Sequence, residues 1–285
     1  MLGSVLHTAL SGISAAEMVI DVSANNLANA MTDGFKSSRV VFEDQSPRTL
    51  SNGVTASGSS GGQNPAQVGR GVLAAAIEGD FSQGPILHSG DPLDLALEGD
   101  GFFVLEGVDG ERQYTRNGNF RFNGDGELVT GSGLRVLGYN VDANFQLKTG
   151  DLEVVKIPSR PAAGSGGSRA ELTSFAVGED GNIQGQFTDG VVRDLGQVQL
   201  AHFANPNGLV RRGQNNFSTG TNSGLPNISN PGATRVVSGA RESSNTDIAR
   251  EIINMSLAST MFRGNMRVLE TGDELLEELL NLRKA

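Results

Sequence analysis

Side chains able to do chemistry are sparse in this 285-residue chain, and their surroundings are wrong for catalysis. Residues 58–62 read GSSGG and match the G-x-S-x-G pattern of a nucleophile elbow. An elbow holds its serine on a sharp turn between a strand and a helix. This copy lies in a run of Ser, Gly and Asn, which reads as a flexible linker. His7, His88 and His202 are far apart and show no H-E-x-x-H or paired spacing, so no catalytic zinc site is expected. Asp91, Asp94, Glu98 and Asp100 are close in sequence, but nothing marks two of them as an acid–base pair, and they read as solvated surface. NGDGELV and GEDGNI invite a calcium reading. The twelve-residue EF-hand ladder is missing, and hairpin turns account for them. Gly69-Arg70-Gly71 lacks the Lys and the strand–helix context of a phosphate loop. With no Cys, thiolate metal sites and disulfides are excluded. The expectation is a chain that is not an enzyme, with no catalytic residue, no metal and no cofactor.

Charge narrows the partners. Twenty-two basic residues, scattered, stand against 32 acidic ones, for a net −10. A binder of nucleic acid needs clustered Lys and Arg, so none is expected; adhesion to an anionic membrane surface is disfavoured in the same way. The N-terminus, MLGSVLHTALSG, lacks a basic n-region and does not read as a cleaved signal. No window of about 18 uninterrupted apolar residues occurs, so no membrane insertion is expected.

The elements that would position any site fall into three blocks. Residues 2–30 place Leu2, Leu6, Ala9, Ile13, Ala16, Ile20, Ser23, Leu27 and Ala30 at alternating steps of four and three, the spacing of a coiled-coil seam. Asp33-Gly34 follows as a stop. Residues 246–283 repeat the steps through Ile248, Ile252, Met255, Ser259, Phe262, Met266, Leu269, Asp273, Leu276 and Leu280, with Thr246 and Asp247 offered as cap. Val268, Leu275, Leu279 and Leu282 form an adjoining apolar row, so this helix is expected to meet more than one neighbour. Between the helices the composition turns to Gly, Asn, Asp, Ser and Val. Residues 45–67 read as an extended connector, and 162–168 as a second Gly/Ser-rich break. Strand-like runs at 93–106, 112–133 and 174–190 alternate with Asn117-Gly118, Asn123-Gly124-Asp125-Gly126, Asp180-Gly181 and Asp189-Gly190, read as hairpin-type turns.

The fold class expected is therefore α+β: terminal helices pairing as a coiled-coil-like inner domain (1–36 plus 246–285), a connector (37–71) and a mainly antiparallel β outer domain (72–245). Apolar stripes at opposite ends of a chain are costly in water. Frayed ends in the monomer, ordered ends in a polymer, is one expectation; an antiparallel helical hairpin within one monomer is the other.

The segment SANNLANAMTDGFKSSRVVFED (23–44) resembles the N-terminal signature of bacterial flagellar rod and hook proteins. ALSGISAAE (9–17), GDPLDLALEGDGFFVL (90–105), YTRNGNF (114–120), LGQVQLAHFANPNGL (195–209), SSNTDIAREIINM (243–255) and ELLNLRKA (278–285) fit the same family in collinear order. The resemblance implies a structural subunit of the flagellar axial structure, exported without a cleaved signal through the type III apparatus. Such a subunit would assemble with copies of itself and with neighbouring rod and hook proteins into a tube around the export channel. It would sit in the basal body, in the rod that spans the periplasm to the hook base. The long stretch after Lys36, opening RVVFED, is similar to the distal rod member. LGYN (137–140), NPNGLVRRGQNNFS (205–218) and the Ser/Gly-rich connector are less so, and SLASTMFRGNMRV (256–268) departs from the family's usual pattern. The hook protein, a proximal rod protein or an assembly cap are the alternatives.

The residues expected at the assembly interface are Leu6, Ile13, Ile20, Asn25, Asn26, Leu27 and Asn29 of the first helix. Ile252, Met255, Phe262, Met266, Leu269, Leu276 and Leu280 are the counterparts in the second. Asn25, Asn26 and Asn29 can donate and accept, and so could bond neighbouring backbones in the polymer and fix register, or else cap the helix end. Gly34 and Phe35 complete the expected interface; Phe35, next to Gly34, is expected to anchor the junction between helix and domain or else to be a plain core residue.

Overall fold

Two terminal helices form where the four–three periodicity runs. Helix α1 spans Leu2–Ala28 and α2 spans Ile248–Lys284. Asp247 caps α2: its Oδ1 accepts the amides of Ala249 (3.0 Å) and Arg250 (3.2 Å), two of the donors a helix start leaves unpaired. This computed structural model describes residues 2–56, 58, 61–107, 109–142, 145–148, 150–157, 172–228 and 234–284. Ser60 of the GSSGG match and the break at 162–168 lie outside them. The protein is α+β: the terminal helices pack on each other, and antiparallel β structure lies between them in sequence.

Two units make up the chain, one of residues 1–28, 38–80 and 247–285, the other of 29–37 and 81–246. In the first, strand Ser38–Asp44 pairs antiparallel with Val72–Gly79. Arg48–Ser51 pairs with Ala66–Val68 further along the same excursion, every residue of both strands exposed. Within the stretch 37–71, read from sequence as an extended connector, residues Ser38–Asp44, Arg48–Ser51 and Ala66–Val68 stand in paired strands. A boundary at 71/72 falls at the start of the return strand. Val72–Gly79 is rich in apolar residues and Arg48–Ser51 is poor in them, yet no residue of either strand is deeply buried.

In the second unit one sheet carries the core. Its strands run in the spatial order Leu172–Val177, Asn182–Phe187, Val192–Val198, Arg135–Asn140, Phe102–Glu106, Arg112–Thr115, Asn216–Ser218 and Val210–Gly213, each pair antiparallel. Strand Phe102–Glu106 is covered on both faces. Phe103 and Leu105 join one apolar cluster with Phe120, Val136, Phe187 and Leu195; Phe102 and Val104 join another with Tyr114 and Phe217. Side chains alternate across a strand, so FFVL fills two cores at once. The NGDG, Asp180-Gly181 and Asp189-Gly190 turns join consecutive paired strands. Asn117-Gly118 does not: Gly118 instead presents its carbonyl to the Leu95 amide at 2.9 Å, so this pair is a crossover contact and no hairpin. Asp94, read as solvated, is 5% exposed and meets Arg241 Nε at 3.1 Å.

Candidate assembly surface

The facing surfaces of α1 and α2 are built from small and polar residues. The helices run antiparallel, with Asn26 opposite Glu251, Gly12 opposite Asn265, and Leu6 opposite Gly272. Ala9, Ile13, Ala15, Ala16 and Ser23 of α1 are buried, as is Ala258 of α2. A Cβ on Gly12 would lie 2.5 Å from Asn265 Nδ2, and one on Gly272 would lie 2.7 Å from Leu6 Cδ2. The Asn265 and Leu6 side-chain ends thus occupy the space over these two glycines, and a side chain at either position would have to displace them. Of the expected residues, Ile13 is buried, while Leu6, Ile20, Leu27, Met255, Phe262 and Leu269 are half-buried.

Asn26 is 1% exposed. Its Nδ2 donates to Ser38 O at 2.7 Å and to Glu251 Oε1 at 3.0 Å, and its Oδ1 accepts the Ser38 amide at 2.9 Å. These three bonds fall within its own chain and tie α1 to the strand after it and to the start of α2. Asn29 accepts a hydrogen bond from Thr32 Oγ1 at 3.2 Å, a turn contact after the helix; Asn25 is exposed. Glu251, absent from the sequence reading, is buried with Asn26 in the first turn of α2, where the helix dipole favours its charge.

The rest of α2 faces outward. Ile252 (53% exposed) and Leu280 (57%) stand clear, and Met266 and Leu276 are exposed at their edges. A second row is more continuous: Ile253, Leu257, Met261, Val268, Leu275, Leu279 and Leu282 are all exposed. At ~100° per residue these seven fall within an arc of about 80°, a coherent apolar stripe on a helix. Gly3–Ala28 of α1 is also long and apolar enough, by length and composition, to cross a membrane. No uninterrupted apolar run appears in it because Ser4, His7, Thr8, Ser11, Ser14 and Glu17 break the sequence while its mean hydropathy stays high. The core helix of a soluble protein passes the same test.

In the second unit the junction residues pack as a network. Gly34 has φ +70°, and a Cβ there would sit 2.6 Å from the Asn117 amide nitrogen, so only glycine fits. Phe35 is buried, with the Arg211 guanidinium 5.6 Å from its ring centroid. Lys36 Nζ meets Glu242 Oε1 at 2.6 Å with both side chains fully enclosed. Arg116 Nη1 lies 3.4 Å from Glu242 Oε2 and is 2% exposed. Burial pulls the Arg116 pKa down, and the neighbouring Glu242 opposes that pull. His202 is also held below its ordinary value, first by burial and then by the charge of Arg116. Among the described residues no group of His, Asp and Glu could hold a metal ion.

Known proteins similar to this chain define its class. Residues 6–36 match the family described as "Flagella basal body rod protein", 96–185 match "Flagellar hook protein FlgE/F/G D1 domain", and 237–282 match "Flagellar basal body rod FlgEFG protein C-terminal". The flagellar basal-body rod protein FlgG of Bacillus subtilis is 35% identical over 283 residues, 98% of each chain. FlgG of Caulobacter vibrioides is 33% identical with the same coverage. The flagellar hook protein FlgE of Escherichia coli is more distant, 24% identical over 414 aligned positions covering 96% of this chain and 99% of that one. The chain belongs to the flagellar rod and hook family, and within it to the group of basal-body rod proteins FlgG. It is a structural subunit of the flagellar axial structure.

Proposed function

We propose that this chain is the distal rod subunit and that it polymerises through its terminal helices into a tube around the export channel. The observation that carries this is the exposed stripe from Ile253 to Leu282 on α2. A helix whose one face packs on α1 and whose other apolar face meets water is incomplete as a monomer. Other copies of the chain are the natural cover, with adjoining rod and hook proteins at the two ends of the stack. Coiled-coil-like pairing of α1 and α2 makes the inner layer, and the β unit the outer one. Export through the type III apparatus without a cleaved signal, and a position spanning the periplasm, complete the reading. Nucleic acid and membrane insertion have no part in it, nor has catalysis. The E. coli hook match, spread over 414 positions, fits a hook relative with insertions that this shorter chain lacks.

The test is polymerisation of the purified chain, followed by light scattering and electron microscopy, beside motility of cells carrying Leu257→Asp or Leu275→Asp. Each variant is expected to stay folded as a monomer and to abolish filaments and swimming, since an unpaired charge does not tolerate burial in an apolar contact. Motile cells with either variant would overturn the reading.

A further inference from the structure

We propose that Lys36 and Glu242 are positioning residues: their buried ion pair clasps together the two chain segments through which the β unit connects to the terminal helices. Residues 33–37 follow α1 in sequence and 241–245 precede α2. Within the β unit these two segments are stitched side by side. The Gly34 amide donates to Glu242 O at 2.8 Å, the Asn245 amide to Phe35 O at 3.4 Å, and the Ser37 amide to Asn245 Oδ1 at 2.8 Å. Arg241 Nη1 meets Asp33 Oδ2 at 3.1 Å. At the centre, Glu242 Oε1 accepts Lys36 Nζ at 2.6 Å and the Gly84 amide at 2.9 Å, while Lys36 Nζ also donates to Ser82 O at 2.6 Å.

The physics separates a clasp from plain packing. A buried ion pair adds little net stability over an apolar filling of the same volume, yet removing one partner is expensive. What such a pair does supply is direction: here Lys36 Nζ meets two acceptors and Glu242 Oε1 two donors in one arrangement. Two cations share the Glu242 carboxylate, and Asp100 adds a second negative charge near Arg116. Losing Lys36 leaves the Arg116–Glu242 pair in place, whereas losing Glu242 takes the bonded carboxylate from both enclosed cations. A clasp therefore predicts unequal effects from its two halves. Partners 206 residues apart in sequence close only when both ends of the unit are in place. The consequence is that the spacing of the two exits is set before any assembly. That consequence rests on the assembly reading above; the clasp itself is measurable in the monomer.

The chain has no cysteine, so a Met31→Cys, Ser243→Cys pair can carry two spin labels without interference. Pulsed dipolar spectroscopy on the full-length monomer is expected to give one narrow separation. Lys36→Met should broaden it while the β unit stays cooperatively folded. Glu242→Gln should broaden it further and raise the unfolded fraction roughly a hundredfold or more. The apolar triple variant Lys36→Met, Arg116→Met, Glu242→Leu should recover stability but not the narrow separation. A separation that stays narrow in Lys36→Met, or one that the triple variant restores together with stability, overturns the proposal. If Glu242→Gln does not fold, Lys36→Met, with its Arg116–Glu242 pair in place, decides. Polymerisation is scored on the same samples, so narrow wild-type and broad Lys36→Met distances support the clasp even where no filaments form.

Discussion

Asn26→Ala tests the helix pair at its most constrained point. The substitution removes the two bonds to Ser38, at 2.7 and 2.9 Å, and the one to Glu251, at 3.0 Å. Ser38 is half-buried, so water repairs part of its loss. Glu251 is 8% exposed, and Asn254 Nδ2 reaches its other oxygen, Oε2, at a long 3.5 Å. Taking about 1 kcal/mol for each Ser38 bond and about 2 kcal/mol for the bond to the buried carboxylate gives a loss of about 4 kcal/mol. That is roughly a thousandfold drop in the stability constant of the helical unit. Hydrogen exchange of α1 and α2 amides is the assay, because it resolves the two units where a single unfolding curve would average them. Protection in the helices should collapse while that of strand Phe102–Glu106 holds. Asn26→Asp should be worse, two carboxylates then standing ~3 Å apart. A change in helix protection smaller than about tenfold on Asn26→Ala, ~1.4 kcal/mol, would refute the assignment.

Further outcomes follow from single residues. Gly12→Leu collides with Asn265 and should separate the helices, read as loss of their exchange protection with the β core intact. Leu269→Asp, on the half-buried face, should destabilise the isolated helix pair by about 2–4 kcal/mol. Ile252→Asp, on the exposed face, should leave the monomer's thermal unfolding unchanged and act only on polymerisation; equal effects on the monomer would contradict the assigned faces. His202 has a folded pKa below its ordinary value near 6.5, so the unfolded state takes up the proton first. Its contribution is complete above that value and declines as pH falls from it toward the lower folded pKa. In His202→Gln the stability of the β unit should lose slope in that window, measured by urea unfolding at a series of pH values.

The terminal helices were legible because Leu, Ile and Ala recur at steps of four and three with no proline to interrupt them. On α2 the face was not. Met255, Phe262, Leu269 and Leu276 lie on or beside the contact with α1, but the residues that alternate with them there are Glu251, Ala258, Asn265 and Gly272, one position before the Ile252, Ser259, Met266 and Asp273 that periodicity selects. Hydrophobic counting seeks bulk, whereas this contact is set by smallness and hydrogen bonding. The paired strands within 38–68 were hidden for the opposite reason. Ser, Gly and polar residues dominate a stretch with no deep face, so no alternation appears. Turn chemistry located NGDG and the two Asp-Gly hairpins, because positive φ is written locally. Lys36 with Glu242 could not be paired from sequence: nothing local at residue 36 distinguishes a solvated lysine from an enclosed one. Asp94 failed in the same way, its partner Arg241 lying far along the chain.

The two helices differ in length, 27 residues against 37. With Leu6 facing Gly272, α1 runs out close to Leu276, and the last two turns of α2 overhang it by roughly 12 Å at ~1.5 Å per residue. Leu279, Leu280 and Leu282 sit on that overhang, more than half exposed. A protruding greasy tip makes the free protein's solubility depend on how much of it accumulates, so a cell that makes these chains faster than it uses them must keep their tails covered or their numbers low.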